Sequence, residues 1–532
     1  MKKLPVYLSV ILTLFFAKNI YSQKFNYNIE EIRKNLSHLA DDGMRGRETG
    51  SPEDRKSAEY IAETLSGYGF KPLIGITPLV PFNVIFYREV GYGSHLSAES
   101  TKYIEWKDYR VLPQSPSSNI NAVITSSPDN PEKYPTPVLV VKASPDSIPF
   151  LAALYKSQGI SALLVNTGEP VSDSRRGGTT ALSIPVLQIS DEVYSDLLTK
   201  SGKYLDIKTV TNVVQGDSYN VLMSYGKEDA PLTVMVGAHF DHLGVGGASS
   251  GSMKPKELAI HNGADDNASG VAGAMEIGRI LSAYADSLGM KIIVGAFGAE
   301  ERGLIGSRAA ADTLKKLGAL PDLMINLDMI GRLSENKLQI GGTGTFAQAS
   351  DFVERANSER GFVLTLTKDG YGPSDHSSFY TAGAPVLYFT TGVHKQYHTP
   401  DDDVELINFE GIGSISEYIA SVISIISSSE VPKYIKTESP PSMSRTAFKV
   451  TLGVIPDFTY EKGDGFRVGS VSDGKPADKA GMKAGDTIKK MKGKPVSNVY
   501  EYMAMLGELK KGEILTVEID REGEIIKLEI QL

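Results

Sequence analysis

The sequence predicts an α/β protein: a mainly parallel, mixed sheet flanked by helices, interrupted by a smaller α/β insert and followed by a β-rich C-terminal domain. Three observations predict it. From Tyr219 to about Ile426, strand-like apolar runs alternate with helical patterns, the order that builds a mainly parallel sheet with helices on both faces. Between about Leu112 and Val213 a second set of strands and helices with its own apolar runs breaks in. After a Ser/Pro-rich stretch, the chain from about Ala447 to Leu532 turns to short strands with one or two helices. At 532 residues, two or three domains are expected.

At the start, Lys2 and Lys3 precede an apolar run from Leu4 to Ala17 that then turns polar, the layout of a secretory signal peptide. The run is shorter than the roughly 20 residues a membrane span needs. The expectation is export to the periplasm or the cell exterior, with or without outer-membrane association, and no transmembrane span in the mature chain. Two helices around a polar turn follow, the second with Ala58, Ile61, Ala62 and Leu65 at helical spacing. The expected organisation is a signal peptide (1–22), a main α/β domain in two pieces (23–111 and 214–430), the insert (112–213), a linker (431–446) and the C-terminal domain (447–532). A net charge of −9 with no basic block argues against nucleic acid as a partner. The absence of cysteine excludes disulfides, thiolate metal sites and a cysteine nucleophile, so any metal must be held by His, Asp or Glu.

Six of the eight histidines fall between His239 and His398, with acids beside them at the ends of strands. Ligands of open α/β sheets gather at the carboxyl ends of strands. His239 ends the run "VMVGAH", and Asp241 is placed to hold the second nitrogen of its ring. Asp265 and Asp266 sit together in a Gly-flanked turn before a helix. Adjacent acids repel unless something positive lies near, and a carboxylate can give one oxygen to each of two metals. Glu300 and Glu301 follow "IIVGAF", Asp328 follows "MINL", Asp375 and His376 lie in "PSDHSS", and His398 lies in "YHTPDD". This mix of imidazole and carboxylate on successive loops of one sheet edge suits zinc.

The segments "GAHFDH", "NGADDNASG", "GAEERGLIGS", "NLDM", "SDHSSF" and "YHTPDD" stand in the order found in the co-catalytic zinc aminopeptidases (bacterial leucyl aminopeptidase-like, metallopeptidase clan MH). The chain resembles that family from about Asn28 to Ile426, and its insert resembles a protease-associated (PA) domain. The resemblance implies the zinc exopeptidase fold and two Zn2+ per chain. His239 and Asp328 would hold one, Glu301 and His398 the other, and Asp266 would bridge them. Asp241 would stand behind His239, and Glu300 would be the general base that takes a proton from water and passes it to the leaving amine. The last ligand is then His398 of "HTPDD" and not His376, which is left to line the cleft as a hydrogen-bond donor or a structural residue.

An oxyanion-stabilising phenol is implied at Tyr371 or Tyr397, with Tyr371 preferred. His242, His261 and His394 are expected as loop residues near the site, and Asp401–Asp403 as a solvated helix start in which Asp402 matches the motif acid. Peptides with a free N-terminus are the implied substrates. A glutaminyl cyclase-like acyltransferase and a non-catalytic peptide-binding receptor are the alternatives, and the complete set of metal-binding positions argues against both. Lastly, "TLGVIPDF" with "PADKAGMKAGDTI" resembles a PDZ domain. Thr451–Ile455 would match the loop that receives a peptide C-terminus while the peptide adds as a strand.

Overall fold

The computed structural model describes residues 25–128, 131–171, 175–247, 250–437, 450–457, 464–471, 474–497, 499–507, 509–510 and 512–532. The expected signal peptide and residues 438–446 of the expected linker lie outside the described residues. The chain divides into two compact units, Asn83–Asp217 and the remainder.

In the larger unit, α1 (Ile29–Leu39) and α2 (Pro52–Gly67) come first. Each starts on a side-chain cap: Asn28 Oδ1 accepts from the Glu30 and Glu31 amides, and Ser51 Oγ accepts from Asp54 N with Pro52 at the first helical position. The sheet that follows contains β1 (Thr211–Tyr225), β2 (Leu232–His239), β3 (Met290–Phe297), β4 (Leu323–Leu327), β5 (Lys337–Gly341), β6 (Val363–Leu366) and β7 (Val386–Thr390). Their order is β6–β5–β7–β4–β2–β3–β1. β2 pairs in parallel with β3 and β4, and β4 in parallel with β7, so four strands end at one edge. β1 and β5 run antiparallel to β3 and β7 respectively, which makes the sheet mixed.

The two-residue period of a strand explains why both faces are apolar. Val234, Val236, Ile292, Val294, Leu323 and Ile325 face one core, covered by α1, α2, α3 (Gly270–Ser282) and α6 (Phe409–Ser427). Met235, Ile293, Phe297, Met324 and Val386 face the other, covered by α4 (Ile305–Lys316) and α5 (His376–Ala382). Among the described residues, α6 is the one helix long and apolar enough to cross a membrane, where the sequence led us to expect none. It is 72% buried in the fold because it fills the groove beside α3, and its apolar surface is core surface.

Among the described residues, the smaller unit has its own sheet of eight strands. That unit starts well before the expected boundary at 112. His95–Ala98 pairs with Tyr204–Thr209, and Tyr109–Val111 pairs with Val186–Ile189, so strands expected in the main domain belong to the insert. Apolar alternation reveals a strand but not the sheet it will join. In the C-terminal domain, six strands and two short helices among the described residues enclose a core that includes Leu452, Phe466, Ile488, Leu515 and Val517.

One buried acid near the N-cap of α2 has a measurable consequence. Asp54 Oδ2 accepts from Gly50 N at 2.8 Å, while Oδ1 has no partner. Burial pushes this carboxyl up to about 7. The folded state therefore holds the proton more tightly than the unfolded chain, whose Asp titrates near 4. The resulting stability is complete below the unfolded value and is lost as pH rises through the folded one. In denaturant titrations of metal-free protein at about pH 5 and about pH 8, Asp54→Asn is expected to reduce this loss by on the order of 2 kcal/mol. Equal losses in variant and wild type would contradict it.

Candidate metal centre and active site

The parallel strands deliver the acids and imidazoles to one edge. His239 closes β2, Glu300 and Glu301 follow β3, Asp328 follows β4, and His398 lies on the loop after β7. Asp266 comes from the irregular turn Ala264–Ser269 that opens α3. Asn267 ties that turn to the end of β4: its Nδ2 donates to Leu327 O at 2.9 Å, and its Oδ1 accepts from Met329 N at 3.2 Å. Three non-glycine residues at this edge, Ala299, Met329 and His398, have left-handed φ of 57°, 58° and 55°. Each such residue costs roughly 1–2 kcal/mol, and such strain clusters where a site demands it.

Asp266 faces two clusters with its two oxygens. Oδ1 lies 3.3 Å from His239 Nε2, which is 3.6 Å from Asp328 Oδ1. Oδ2 lies 3.2 Å from His398 Nε2, which is 3.3 Å from Glu301 Oε2. Two groups of donors close enough to hold a cation are His239, Glu300 and Asp328, and His242, Asp266 and Glu301. The residues therefore fit a pair of divalent cations. The acids are crowded and buried, and His239 Nε2 lies in the cluster without a hydrogen-bond partner.

The electrostatics follow from that crowding. Burial pushes Glu300 well above the usual carboxylate range, and Asp375, Glu301 and Asp328 add to it against the pull of His239. Burial opposes the charge on Glu301 too, yet His398 and His242 hold it down to about 2. Burial alone would depress His239 and His398; the acids around them override it and raise both.

Several expected roles change. The Asp241 carboxylate is turned toward the adjacent acids Glu300 and Glu301: Oδ1 accepts from Glu300 N at 2.9 Å, and Oδ2 from Glu301 N at 3.4 Å and Thr49 Oγ1 at 2.9 Å. His239 Nδ1 lies 3.1 Å from the backbone oxygen of Asp241 and 3.9 Å from its carboxylate, so the main chain orients the ring. Asp402 is not solvated. It is 0% exposed, accepts from the Asp265 and Asp266 amides at 3.0 Å each and pairs with Arg332 at 3.2 Å. His376 is buried on α5, stacked 4.5 Å from Tyr388, and does not line the cleft. Burial drives its imidazole down to about 3, so it is a neutral structural ring.

Tyr371 stands edge-on to Tyr380 in the second core and does not line the cleft either. Tyr397, stacked 3.9 Å from His398, and Tyr388 do line it, in a cavity of about 250 Å³ with Glu300 and Met329. Three residues to which the sequence assigned no role join the site: Tyr388; His242, expected only as a nearby loop residue, 2.8 Å from Glu301 Oε1; and Arg47, whose guanidinium is buried among the loops. For His242 the signal was its position three residues after His239. Arg47 lies in a polar Gly-rich turn that reads like any solvated one.

Two donor sets joined by one carboxylate, with an acid beside them at the carboxyl edge of a parallel sheet, define a metal-dependent hydrolase site. Residues 220–423 match peptidase family M28, and residues 450–532 match the PDZ domain. The sheet that carries the site is thus the part of the chain that is similar to peptidase family M28, and the C-terminal domain the part that is similar to the PDZ domain. It is 29% identical over 270 residues to aminopeptidase YwaD of Bacillus subtilis (strain 168), covering 48% of this chain and 55% of that protein. It is 26% identical over 278 residues to the uncharacterized protein YfbL of Escherichia coli (strain K12), covering 46% of this chain and 82% of that one. The chain spans about half the length of YwaD. Among solved structures, BSAP, a zinc aminopeptidase from Bacillus subtilis, aligns with a TM-score of 0.45 at 20% identity over 78% of this chain and 98% of that one.

Proposed function

We propose that this protein is an exported aminopeptidase that removes N-terminal residues from peptides with two zinc ions and Glu300 as its general base. The observation that carries the reading is Asp266, which offers one oxygen to the His239–Asp328 cluster and the other to the His398–Glu301 cluster. His239, Asp328 and Asp266 would hold one ion, and Glu301, His398 and Asp266 the other. When bound, zinc supplies Lewis acidity, polarising the scissile carbonyl and making water a stronger acid.

The chain's own residues do the rest. Glu300 accepts the proton of the attacking water on its carboxylate and gives it to the departing amine nitrogen. Asp241 fixes the backbone amides of Glu300 and Glu301, so the base and the adjacent ligand keep one geometry. A phenol of Tyr397 or Tyr388 would donate to the oxygen of the tetrahedral intermediate; burial holds both protonated well beyond neutral pH, as a donor requires. Met329, Thr391 and Val393 offer wall for the first side chain of the substrate. In this reading residues 1–22 direct export, the insert is PA-like, and the PDZ domain captures a peptide C-terminus.

The test is hydrolysis of a panel of aminoacyl amides and their N-acetylated counterparts by zinc-loaded protein, with and without chelator. Chelator-sensitive cleavage confined to free amines is expected. Cleavage of the acetylated set, or cyclisation of glutaminyl peptides without hydrolysis, would overturn the proposal.

A further inference from the structure

His242 is a buried histidine without an assigned role, and its surroundings point to one. It follows Asp241 on the loop leaving β2, with its side chain fully enclosed. Nδ1 lies 2.8 Å from Glu301 Oε1 and 3.9 Å from Asp266 Oδ2. His398 Nε2 faces the same two carboxylates at 3.2 and 3.3 Å. Two imidazole nitrogens and two carboxylates thus surround one spot. In a tetrahedral zinc site with ligands at 2.0–2.2 Å, neighbouring donor atoms lie roughly 3.3–3.5 Å apart. The four separations here bracket that spacing.

The ring is also held in place. A Cβ on Gly263 would sit 2.6 Å from both Cγ and Cδ2 of His242, so the ring's carbon edge packs where only glycine leaves room for it. An N–H aimed at the cation would be repelled, whereas the lone pair of the other tautomer would bind it. The partner cluster is poorer: His239 with Asp266 and Asp328, and Glu300 beside them.

We propose that His242 is a fourth protein ligand of the ion held by His398, Glu301 and Asp266, so the two metal positions are unequal. That position is closed by four protein donors and binds tightly. The His239–Asp328–Asp266 position has three and keeps an open place for water or substrate. The inference rests on the two-zinc reading above. The rival role is a hydrogen bond from Nδ1–H that merely orients Glu301.

The experiment uses the full chain, stripped of metal and reloaded with zinc, and reads metal stoichiometry under graded chelator together with the imidazole count from X-ray absorption. In wild type, two ions with separate release and three imidazoles shared between them are expected. Two imidazoles shared between two ions would overturn the His242 assignment while leaving the two-zinc reading intact. A single ion at saturation would overturn both. His242→Ala and His242→Gln test the same point, the glutamine being able to keep a hydrogen bond to Glu301. Loss of about 100-fold or more in affinity for the tight ion in both variants is expected. Wild-type affinity in His242→Gln would establish the orienting role instead.

Discussion

Glu300→Gln is expected to bind zinc like wild type and to turn over on the order of 1,000-fold more slowly, within the range general-base removal produces. The change keeps the side chain's size and removes only its ability to take a proton. Glu300 is one of several crowded acids, with Asp375, Glu301 and Asp328 all raising its carboxyl. Neutralising it relieves that repulsion, so the metal-free variant should melt no lower than wild type. The checks are zinc content per chain, thermal midpoint without metal, and turnover on an aminoacyl amide. Normal zinc with normal turnover would remove Glu300 from the mechanism.

Arg47→Met should be the most destabilising substitution at this edge. The Arg47 side chain is 0% exposed, and among the described residues its guanidinium is held by backbone oxygens. Its guanidinium donates to the backbone oxygens of Phe240 at 2.6 Å, Asn262 at 2.7 Å, Gly263 at 3.1 Å, and Leu39. These belong to the end of α1, the loop after β2 and the turn before Asp266. Burial lowers its pKa to about 10 against the pull of Asp241, Asp266, Asp402 and Glu301, so it remains charged at neutral pH. Methionine fills the volume and leaves the carbonyls without donors, each at about 1–3 kcal/mol, so a loss of roughly 4 kcal/mol or more is expected. Arg47→Lys, with three donors on a point charge, should recover part of it. Denaturant melts of both variants test this. A Met variant as stable as wild type would mean that the loops hold their positions without the guanidinium.

The part of the site legible in the sequence was the part carried by strands. His239 and Asp328 sit at or directly after buried parallel strands, and a polar ligand-type residue there is recognisable because the run before it is mostly apolar. The adjacency of Glu300 and Glu301 likewise placed two acids at one point. Loop geometry was not legible. Asp241 read as the partner of its near neighbour His239, yet its oxygens reach the amides of Glu300 and Glu301, some sixty residues away. Asp402 stands in a run of three acids that looks solvated, but Asp402 turns inward to two backbone amides. Of the two candidate phenols the sequence favoured Tyr371, yet folding put Tyr371 against the second core and Tyr397 in the cleft.

By itself the sequence determined the inventory: the imidazoles and carboxylates, the alternation that builds the sheet, and hence the edge where those groups gather. Those properties are local, set by strand period and by the cost of burying an acid without a partner. Only the tertiary structure decided which nitrogen meets which oxygen. Contacts near 3 Å between residues far apart in the chain depend on left-handed turns at Ala299, Met329 and His398 and on a buried arginine joining three segments. No periodicity in the sequence encodes those constraints.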